Sequence, residues 1–137
     1  MLLSRRDLGL LLPALAAAQQ KEPLPSHVFH NADISYTGDA TKKGREFFHG
    51  ATHSGFSLEM HETVLGPGVQ THAPHKHVHE EIIVVVEGTA EIWIEGKTER
   101  AEPGSVIYYG SNQMHSLRNA GLVPCRYYVV ELRGSEA

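Results

Sequence analysis

The sequence predicts an all-β protein, organised as a small jelly-roll barrel. Short runs rich in Val, Ile, Tyr and Phe alternate with Gly, Pro, Asn and Ser along most of the chain, which is the pattern of strands joined by turns. Beyond the leader, no segment shows the periodicity of a long amphipathic helix. The strand-like runs are short, numerous and evenly spaced, without internal repeats. This arrangement favours a small barrel that can hold one small ligand in its interior.

Turn signals divide the chain into short predicted strands. Gly66-Pro67-Gly68 is a turn, Gly88-Thr89 closes a hairpin between two strongly apolar runs, and Gly96-Lys97 and Glu102-Pro103-Gly104 are further turns. The strands are predicted near Val28–Tyr36, Phe56–Leu65, Glu81–Glu87, Ala90–Glu95, Ser105–Tyr109, His115–Arg118 and Arg126–Leu132.

Alternating polarity assigns the faces of some of these strands. In Ala90–Glu95 the glutamates are predicted to face water, so Trp93 points outward with them and marks either a dimer surface or a half-covered position. Ile82–Val86 is apolar on both faces, so we expect protein to cover both of its sides. In Arg126–Leu132 an outward Glu131 is predicted. The inner face would then carry Arg126, Tyr128, Val130 and Leu132.

The first 18 residues have the features of an export signal. Ser4-Arg5-Arg6-Asp7-Leu8 resembles the twin-arginine motif, the apolar stretch Leu8–Ala18 follows it, and Ala16-Ala17-Ala18 is typical of a cleavage site. The apolar stretch is shorter than the roughly 20 residues that span a bilayer, so no stable membrane anchor is predicted. We therefore predict a signal peptide over residues 1–18 and export to the periplasm or the extracellular space by the twin-arginine route. An uncleaved leader is the alternative.

The rest of the chain is predicted to form one domain. Residues 19–26, with Pro23 and Pro25, read as a linker, and residues 27–137 are enough to bury a core of their own. Cys125 is the only cysteine, so an intramolecular disulfide is excluded, and we interpret it as a small buried apolar residue. The formal net charge is −4 and basic runs are absent, which argues against a nucleic-acid partner.

Four residues with the chemistry of metal ligands stand at suggestive spacing. His75 and His77 are two positions apart, and side chains at that spacing in an extended strand point the same way, roughly 6.6 Å apart. Glu81 follows after a predicted bend, and His115 lies further along the chain. Imidazole and carboxylate together suit a divalent transition metal, so we predict one ion of iron, manganese, nickel, copper or zinc.

The residues around these ligands resemble the two motifs of the cupin superfamily. The run Gly68-x6-His75-x-His77-x3-Glu81-x6-Gly88 is similar to G-x5-H-x-H-x3,4-E-x6-G, with one extra residue after Gly68. The run Gly104-x5-Gly110-x-Asn112-x2-His115-x3-Asn119 is similar to G-x5-P-x-G-x2-H-x3-N, with Gly110 in place of proline and Asn112 in place of glycine. Asn tolerates left-handed backbone nearly as well as Gly, so the turn is expected to be kept.

The resemblance covers about residues 56 to 132 and implies a single-domain cupin barrel, also described as a double-stranded β-helix. It implies that the ion is held by His75, His77, Glu81 and His115. Cupins commonly dimerise and exposed edge strands invite pairing, so a homodimer that binds a small molecule is predicted.

The resemblance leaves several functions open. We predict an exported metallocupin that is an oxidoreductase, dioxygenase-like, acting on a small oxygenated or aromatic molecule. A metal-dependent isomerase or decarboxylase is the alternative among enzymes. A barrel that binds a metal or a small ligand without turnover, or whose ion only stabilises the fold, is the non-catalytic alternative.

Three further residues are candidates for catalysis. His61 shares the more polar face of Phe56–Leu65 with Glu59, and that face meets either solvent or the barrel interior. His79 lies between the two ligand segments, where a position at the rim of the site is favoured. Tyr108 is one of several side chains that could orient a substrate. The sequence by itself positions none of the three.

Overall fold

Nine strands form the β-structure of residues 22–134, the part of the chain that this computed structural model describes. They are β1 (Thr37–Gly38), β2 (Lys42–Ala51), β3 (Ser57–Leu65), β4 (Glu80–Glu87), β5 (Ala90–Ile94), β6 (Lys97–Ala101), β7 (Val106–Tyr109), β8 (His115–Asn119) and β9 (Cys125–Arg133). One 3-10 turn, Asn31–Asp33, precedes them, and residues 22–134 contain no α-helix. The predicted all-β class is confirmed. The predicted signal peptide, residues 1–18, and the start of the predicted linker lie outside the described residues.

The strands form two antiparallel sheets that share one core. The larger sheet has the order β1-β2-β3-β9-β4-β7, and the smaller has the order β6-β5-β8. Cys125 is fully buried in that core, as predicted, and burial raises the pKa of its thiol to about 11. Among the described residues, no helix is long and apolar enough to cross a membrane. The core residues are Leu65, Ile83, Val85, Ala90, Ile92, Ala101, Ile107, Tyr109, Leu117, Cys125, Tyr127 and Val129.

Two of the motif residues hold turns. Gly88 has a φ of 78°, and a Cβ at this position would lie 2.5 Å from the carbonyl oxygen of Pro124, so only glycine fits between β4 and β5. Asn119 is fully buried, and its side-chain amide donates to the carbonyl oxygens of Leu65 and Val123. Asn119 therefore fastens the end of β3 to the loop that leads into β9.

The turn before β8 is kept despite its altered sequence. Asn112 takes a left-handed conformation with a φ of 59°, so the prediction that asparagine can replace glycine here is confirmed. Its backbone N–H donates to the carbonyl oxygen of His77 over 2.7 Å. The second motif is thereby tied directly to the first.

The strand prediction fails in the N-terminal part of the domain and at one edge. The strand predicted over Val28–Tyr36 is wrong, because the carbonyl oxygens of Asn31 and Ile34 accept hydrogen bonds from Arg45 rather than from a neighbouring strand. β2 was not predicted, because its first half is charged and lacks the alternation of a half-buried strand. β6 was not predicted either, because an exposed edge strand can be charged on both faces.

The predicted faces are right for β5 and wrong for β9. Ala90 and Ile92 are buried, and Trp93 is half-buried on the opposite face. In β9, Tyr127 and Val129 are buried and Glu131 lies on their side of the sheet. The opposite arrangement was predicted, because a glutamate is usually solvated. The residues that face outward instead are Arg126, Tyr128, Val130 and Leu132.

The outer face of the larger sheet is only half covered. Leu24 packs against Gly50, and the ring of Phe29 lies 5.1 Å from that of Phe48, so residues 22–36 shield β2. Beyond β9 the same face stays exposed, although protein was expected to cover both sides of the β4 run. We call this region the apolar patch. It consists of Ile82, Val106, Tyr108 and Leu132, which are 43%, 65%, 61% and 39% exposed.

Candidate metal centre

A cavity of about 390 Å³ opens into the barrel between the two sheets. Apolar side chains from the core form its floor, including Ile83, Leu117 and Val129. The histidines in its wall are His61, His72, His75, His77, His79 and His115. So many imidazoles around one concave space make it the first place to look for a metal site.

Three of these histidines converge on one point. One ring nitrogen of each of His75, His77 and His115 lies within 4.8 Å of the others. In every case Nδ1–H donates to a backbone carbonyl two residues away, over 3.1, 2.8 and 2.8 Å respectively. Nε2 is therefore the nitrogen left for a ligand, and the ring orientation is fixed by the backbone.

The fold explains why residues far apart in sequence meet here. His75 forms an isolated bridge with His115, the first residue of β8, and the two exchange backbone hydrogen bonds of 2.9 and 3.1 Å. The ring of Tyr109 stacks on that of His115 with 4.0 Å between centroids. Backbone pairing and ring stacking together hold His115 in the cavity wall, where it is 3% exposed.

Glu81 lies close to His77 and His79, and one ligand atom of each of these three residues is within 4.8 Å of the others, so His77 belongs to both groups. Oε1 of Glu81 lies 2.9 Å from Nε2 of His77 and 3.5 Å from Nε2 of His79. The rings of His77 and His79 stack in parallel with 3.6 Å between centroids. His79, predicted at the rim, thus packs against one candidate ligand and approaches another.

The donor set fits a divalent transition metal. Nε2 of His77 is buried and makes no hydrogen bond, although the Glu81 carboxylate is close to it. Two ligands of one ion, each about 2.1 Å from it, approach each other in this way without a proton between them. Burial lowers the pKa of His115, which keeps that imidazole neutral as metal binding requires.

Three glutamates stand side by side on the inner face of the larger sheet. This glutamate row consists of Glu59, Glu131 and Glu81, because Glu131 is the direct cross-strand partner of the other two. His61 Nδ1 lies 2.9 Å from Glu59 Oε1, and His79 Nε2 lies 3.2 Å from Glu131 Oε2. The pKa of Glu131 is raised by burial first and then by the charges of Glu59 and Glu81. Like charges directly opposite one another are unfavourable in a sheet, so the row is suited to hold protons or a cation.

The structure separates the three predicted catalytic candidates. His61 and His79 line the cavity, whereas Tyr108 points out of the barrel and is 61% exposed. Its neighbour Tyr109 faces the cavity, because Ile107 and Tyr109 form the buried side of β7. The Tyr109 hydroxyl is buried without a hydrogen-bond partner, and burial raises its pKa.

Several cavity residues were missed from the sequence. Lys42 belongs to the unpredicted β2, Glu131 was assigned to the wrong face, and Tyr109 was passed over for Tyr108. One signal was available for Tyr109: it is the β7 residue on the same face as Ile107, at the end of an alternating strand. The hydroxyls of Thr71 and Tyr127, which are 2.8 Å apart in the cavity wall, carry no such signal.

Comparison with known proteins identifies the family. The profile of the cupin domain matches residues 61–131, just over half of the chain. The chain belongs to the cupin family. No curated protein matches this cupin.

Solved structures agree with the fold. KdgF from Halomonas sp. is similar over 81% of this chain and 97% of its own, with 19% identity and a TM-score of 0.67. An RmlC-like cupin from Shewanella frigidimarina is similar over 82% and 95%, with 15% identity and a TM-score of 0.66. The polyketide cyclase RemF from Streptomyces resistomycificus is similar over 83% and 87%, with 20% identity and a TM-score of 0.61. The predicted jelly-roll architecture is confirmed.

Proposed function

We propose that this cupin is a metal-dependent enzyme that acts on a small oxygenated molecule bound in the barrel cavity. The observation that carries the proposal is the convergence of His75, His77 and His115, each with Nδ1 fixed by a carbonyl and Nε2 left free. Glu81 is the fourth ligand in this proposal, and the ion is iron, manganese, nickel, copper or zinc. When bound, such an ion polarises an oxygen atom of the substrate.

Protein groups beside the ligands supply proton transfer. Glu131 and His79 both line the cavity, and their Oε2 and Nε2 atoms lie 3.2 Å apart but form no hydrogen bond in the substrate-free protein, so in this proposal the pair aligns for proton transfer when a substrate is bound. Ile83 and Val129 keep part of the cavity apolar and exclude water from the reacting centre. This arrangement favours reactions that move a proton, such as isomerisation or decarboxylation. The polyketide cyclase among the structural neighbours is compatible with non-oxidative chemistry on this fold.

The dioxygenase-like oxidoreductase is the second candidate. It is favoured by the donor set itself, because three imidazoles and one carboxylate also suit iron. The two candidates differ in what is consumed: the oxidoreductase consumes dioxygen, and the proton-transfer enzyme exchanges a substrate hydrogen with water.

The test begins with metal content, measured by mass spectrometry on protein purified without a histidine tag. The proposal expects near-stoichiometric metal in the wild type and little in His77→Ala. Loaded protein is then screened with small hydroxy acids, keto acids and phenols, by oxygen electrode and by NMR for deuterium incorporation from heavy water. An empty wild-type site that also refuses added metal would falsify the proposal. Bound metal without turnover of any compound would favour the binding-only alternative.

We propose that a second copy of this chain covers the apolar patch, so that the protein forms a homodimer. The patch lies on β4, β7 and the end of β9, next to the free edge of β7, so one surface offers both apolar area and unpaired backbone groups. A twofold axis at this edge would pair β7 with its copy. Analytical ultracentrifugation tests this, with Tyr108→Glu expected to give monomers and the exposed Leu122→Glu as the matched control. A wild-type monomer at high concentration would contradict it.

Export by the twin-arginine route remains a proposal from residues 1–18 alone. Pulse-labelling of the full chain in a bacterial host tests it. The precursor is expected to be processed, and Arg5→Lys combined with Arg6→Lys is expected to leave it unprocessed.

A further inference from the structure

Lys42 places one positive charge in the cavity wall. It is the first residue of β2 and pairs with Leu65, which is fully buried, so its side chain lies on the inner face of the sheet. The next residue, Lys43, is exposed on the outer face, with Nζ 4.6 Å from the centre of the Tyr36 ring. Among the described residues that line the cavity, Lys42 is the only lysine or arginine.

The charge on Lys42 lacks a counter-charge. Its Nζ donates to the carbonyl oxygen of Thr71 over 2.8 Å, and no carboxylate of residues 22–134 lies within ion-pair distance. An ammonium group carries three N–H donors, so two remain for a ligand. A charge that is partly removed from water without a partner is unfavourable, and an anion in the cavity would relieve that cost.

The end of the cavity away from Lys42 carries negative charge from the glutamate row. The glutamate row begins at Glu59 and Lys42 pairs with Leu65, so the two poles are six positions apart along β3, about 20 Å of strand. In the metal-free protein an anionic group is repelled by the row and attracted to Lys42, whereas a divalent ion bound beside Glu81 would offset the charge of the row and attract an anion itself. The metal-free cavity therefore favours one orientation of an elongated, singly charged molecule.

A neutral polar group of such a molecule also has a partner. The hydroxyl of Tyr109 is buried without a hydrogen-bond partner, in a side chain that is 1% exposed, and Tyr109 lines the same cavity. Leaving a buried hydroxyl unpaired is unfavourable, so a substrate hydroxyl or carbonyl oxygen is its natural partner. Tyr109 also stacks on His115, which places this contact beside the candidate metal centre.

We propose that the substrate is a small carboxylate whose negative charge is bound by Lys42 and whose neutral oxygen is bound by Tyr109. The proposal rests on the proposed function and adds the substrate class to it. A carboxylate fits better than a phosphate ester, because the wall offers a single lysine and neither an arginine nor a helix N-terminus among the described residues. The cavity volume of about 390 Å³ suits a molecule of this size.

The experiment compares carboxylates with their neutral amides. The probes are glucuronate and glucuronamide, lactate and lactamide, and salicylate and salicylamide, titrated by calorimetry and ligand-detected NMR. Wild type is expected to bind at least one acid about ten- to hundredfold more tightly than its amide. Lys42→Met should abolish that preference and Lys42→Arg should keep most of it. Lys43→Met is the matched control and should change nothing, because its side chain lies on the other face.

Tyr109→Phe separates the two contacts. This substitution should weaken the binding of the acid and of its amide by the same factor, because both compounds keep the neutral oxygen that Tyr109 contacts. The proposal is overturned if the wild type binds every acid and its amide with equal affinity. It is also overturned if the wild type binds none of these compounds. A Lys42→Met variant that keeps the preference likewise overturns the proposal. If Lys42 only fastens Thr71, Lys42→Met lowers the melting temperature but leaves the acid-to-amide ratio unchanged, which also overturns it.

The same samples distinguish failure of this inference from failure of the proposed function. Each titration is run on zinc-loaded protein and on chelator-treated protein, with metal content measured. A carboxylate held by the ion itself loses its preference on chelation, whereas one held by Lys42 keeps it. If the protein binds metal but does not prefer the acid to its amide, this inference is rejected and the proposed metal centre is not. An acid preference that depends on Lys42 in a protein that never takes up metal rejects the metal centre alone.

Discussion

The two faces of β3 treat their carboxylates in opposite ways. On the outer face, Glu62 is fully buried and both of its oxygens are paired, one with Arg45 and the other with Arg126 over 3.0 Å. Three positions earlier, on the inner face, Glu59 stands in the glutamate row, where its side chain pairs with the imidazole of His61.

Charges that stabilise the fold can be distinguished from charges that serve a ligand by the kind of partner each carboxylate has. A guanidinium is always protonated, so the outer cluster, which we define as Glu62, Glu87, Arg45 and Arg126, pairs two carboxylates with two guanidinium groups without any ligand. Histidine near neutral pH is not a dependable counter-charge, so the inner row remains negative unless a proton or a cation joins it. The outer cluster should therefore matter for stability, and the inner row for binding and turnover.

The largest effect on stability is expected from Glu62→Gln. Removing this carboxylate leaves the guanidinium of Arg45, which is 9% exposed, without its counter-charge. The free energy of unfolding should fall by about 3–5 kcal/mol, measured by urea denaturation. Glu59→Gln is the matched control on the same strand and should cost less than about 1 kcal/mol. Similar losses in the two variants would erase the distinction between the faces.

The next effect is expected on metal affinity. His77→Ala removes the imidazole whose Nε2 is buried without a hydrogen bond, so the affinity for zinc or manganese should fall at least ~100-fold. The far-ultraviolet circular dichroism should stay that of a β-protein, because the core lies elsewhere. His53→Ala, in an exposed turn, should leave metal binding unchanged. Unaltered affinity in His77→Ala would remove this residue from the ligand set.

Glu131→Gln is expected to have a smaller effect on stability than Glu62→Gln, and to raise the free energy of unfolding rather than lower it. Without metal, removing the middle charge of the row relieves repulsion from Glu59 and Glu81, so the free energy of unfolding should rise by about 0.2–1 kcal/mol. Turnover of any substrate that loses a proton should fall, with metal content unchanged. A marked loss of stability in the metal-free variant would mean that the row is structural after all.

The smallest effect is expected at the exposed end of the outer cluster. The hydrogen bond from Arg126 lowers the pKa of Glu87, so the folded state favours its ionised form. The resulting stabilisation is present above the ordinary pKa of the carboxyl group and is lost as the pH falls through the lowered value. Glu87→Gln should therefore lower the melting temperature slightly at pH 7 and reduce its decline between about pH 5 and pH 3. Parallel pH profiles for wild type and variant would contradict the ion pair.

How much of the fold and of the candidate site could be predicted from the sequence depends on how far apart in the sequence the interacting residues lie. The spacing of His75 and His77 is local information, His115 was assigned to the same ion through the resemblance to the second motif, and the three rings do come together. The inward turn of Glu131 is not local, because it depends on the register that sets β9 between β3 and β4. Lys42 was missed for a similar reason: the charged start of β2 makes sense only once Arg45 is seen to pair with Glu62.

The apolar patch has a consequence for how all of these variants are measured. If a second copy covers it, folding and association are linked, and mass action makes the melting temperature rise with protein concentration. Variants compared at unequal concentrations would then differ for reasons unrelated to the mutation. Val106 and Tyr108, the most exposed members of the patch, thus make a concentration series part of every stability comparison on this cupin.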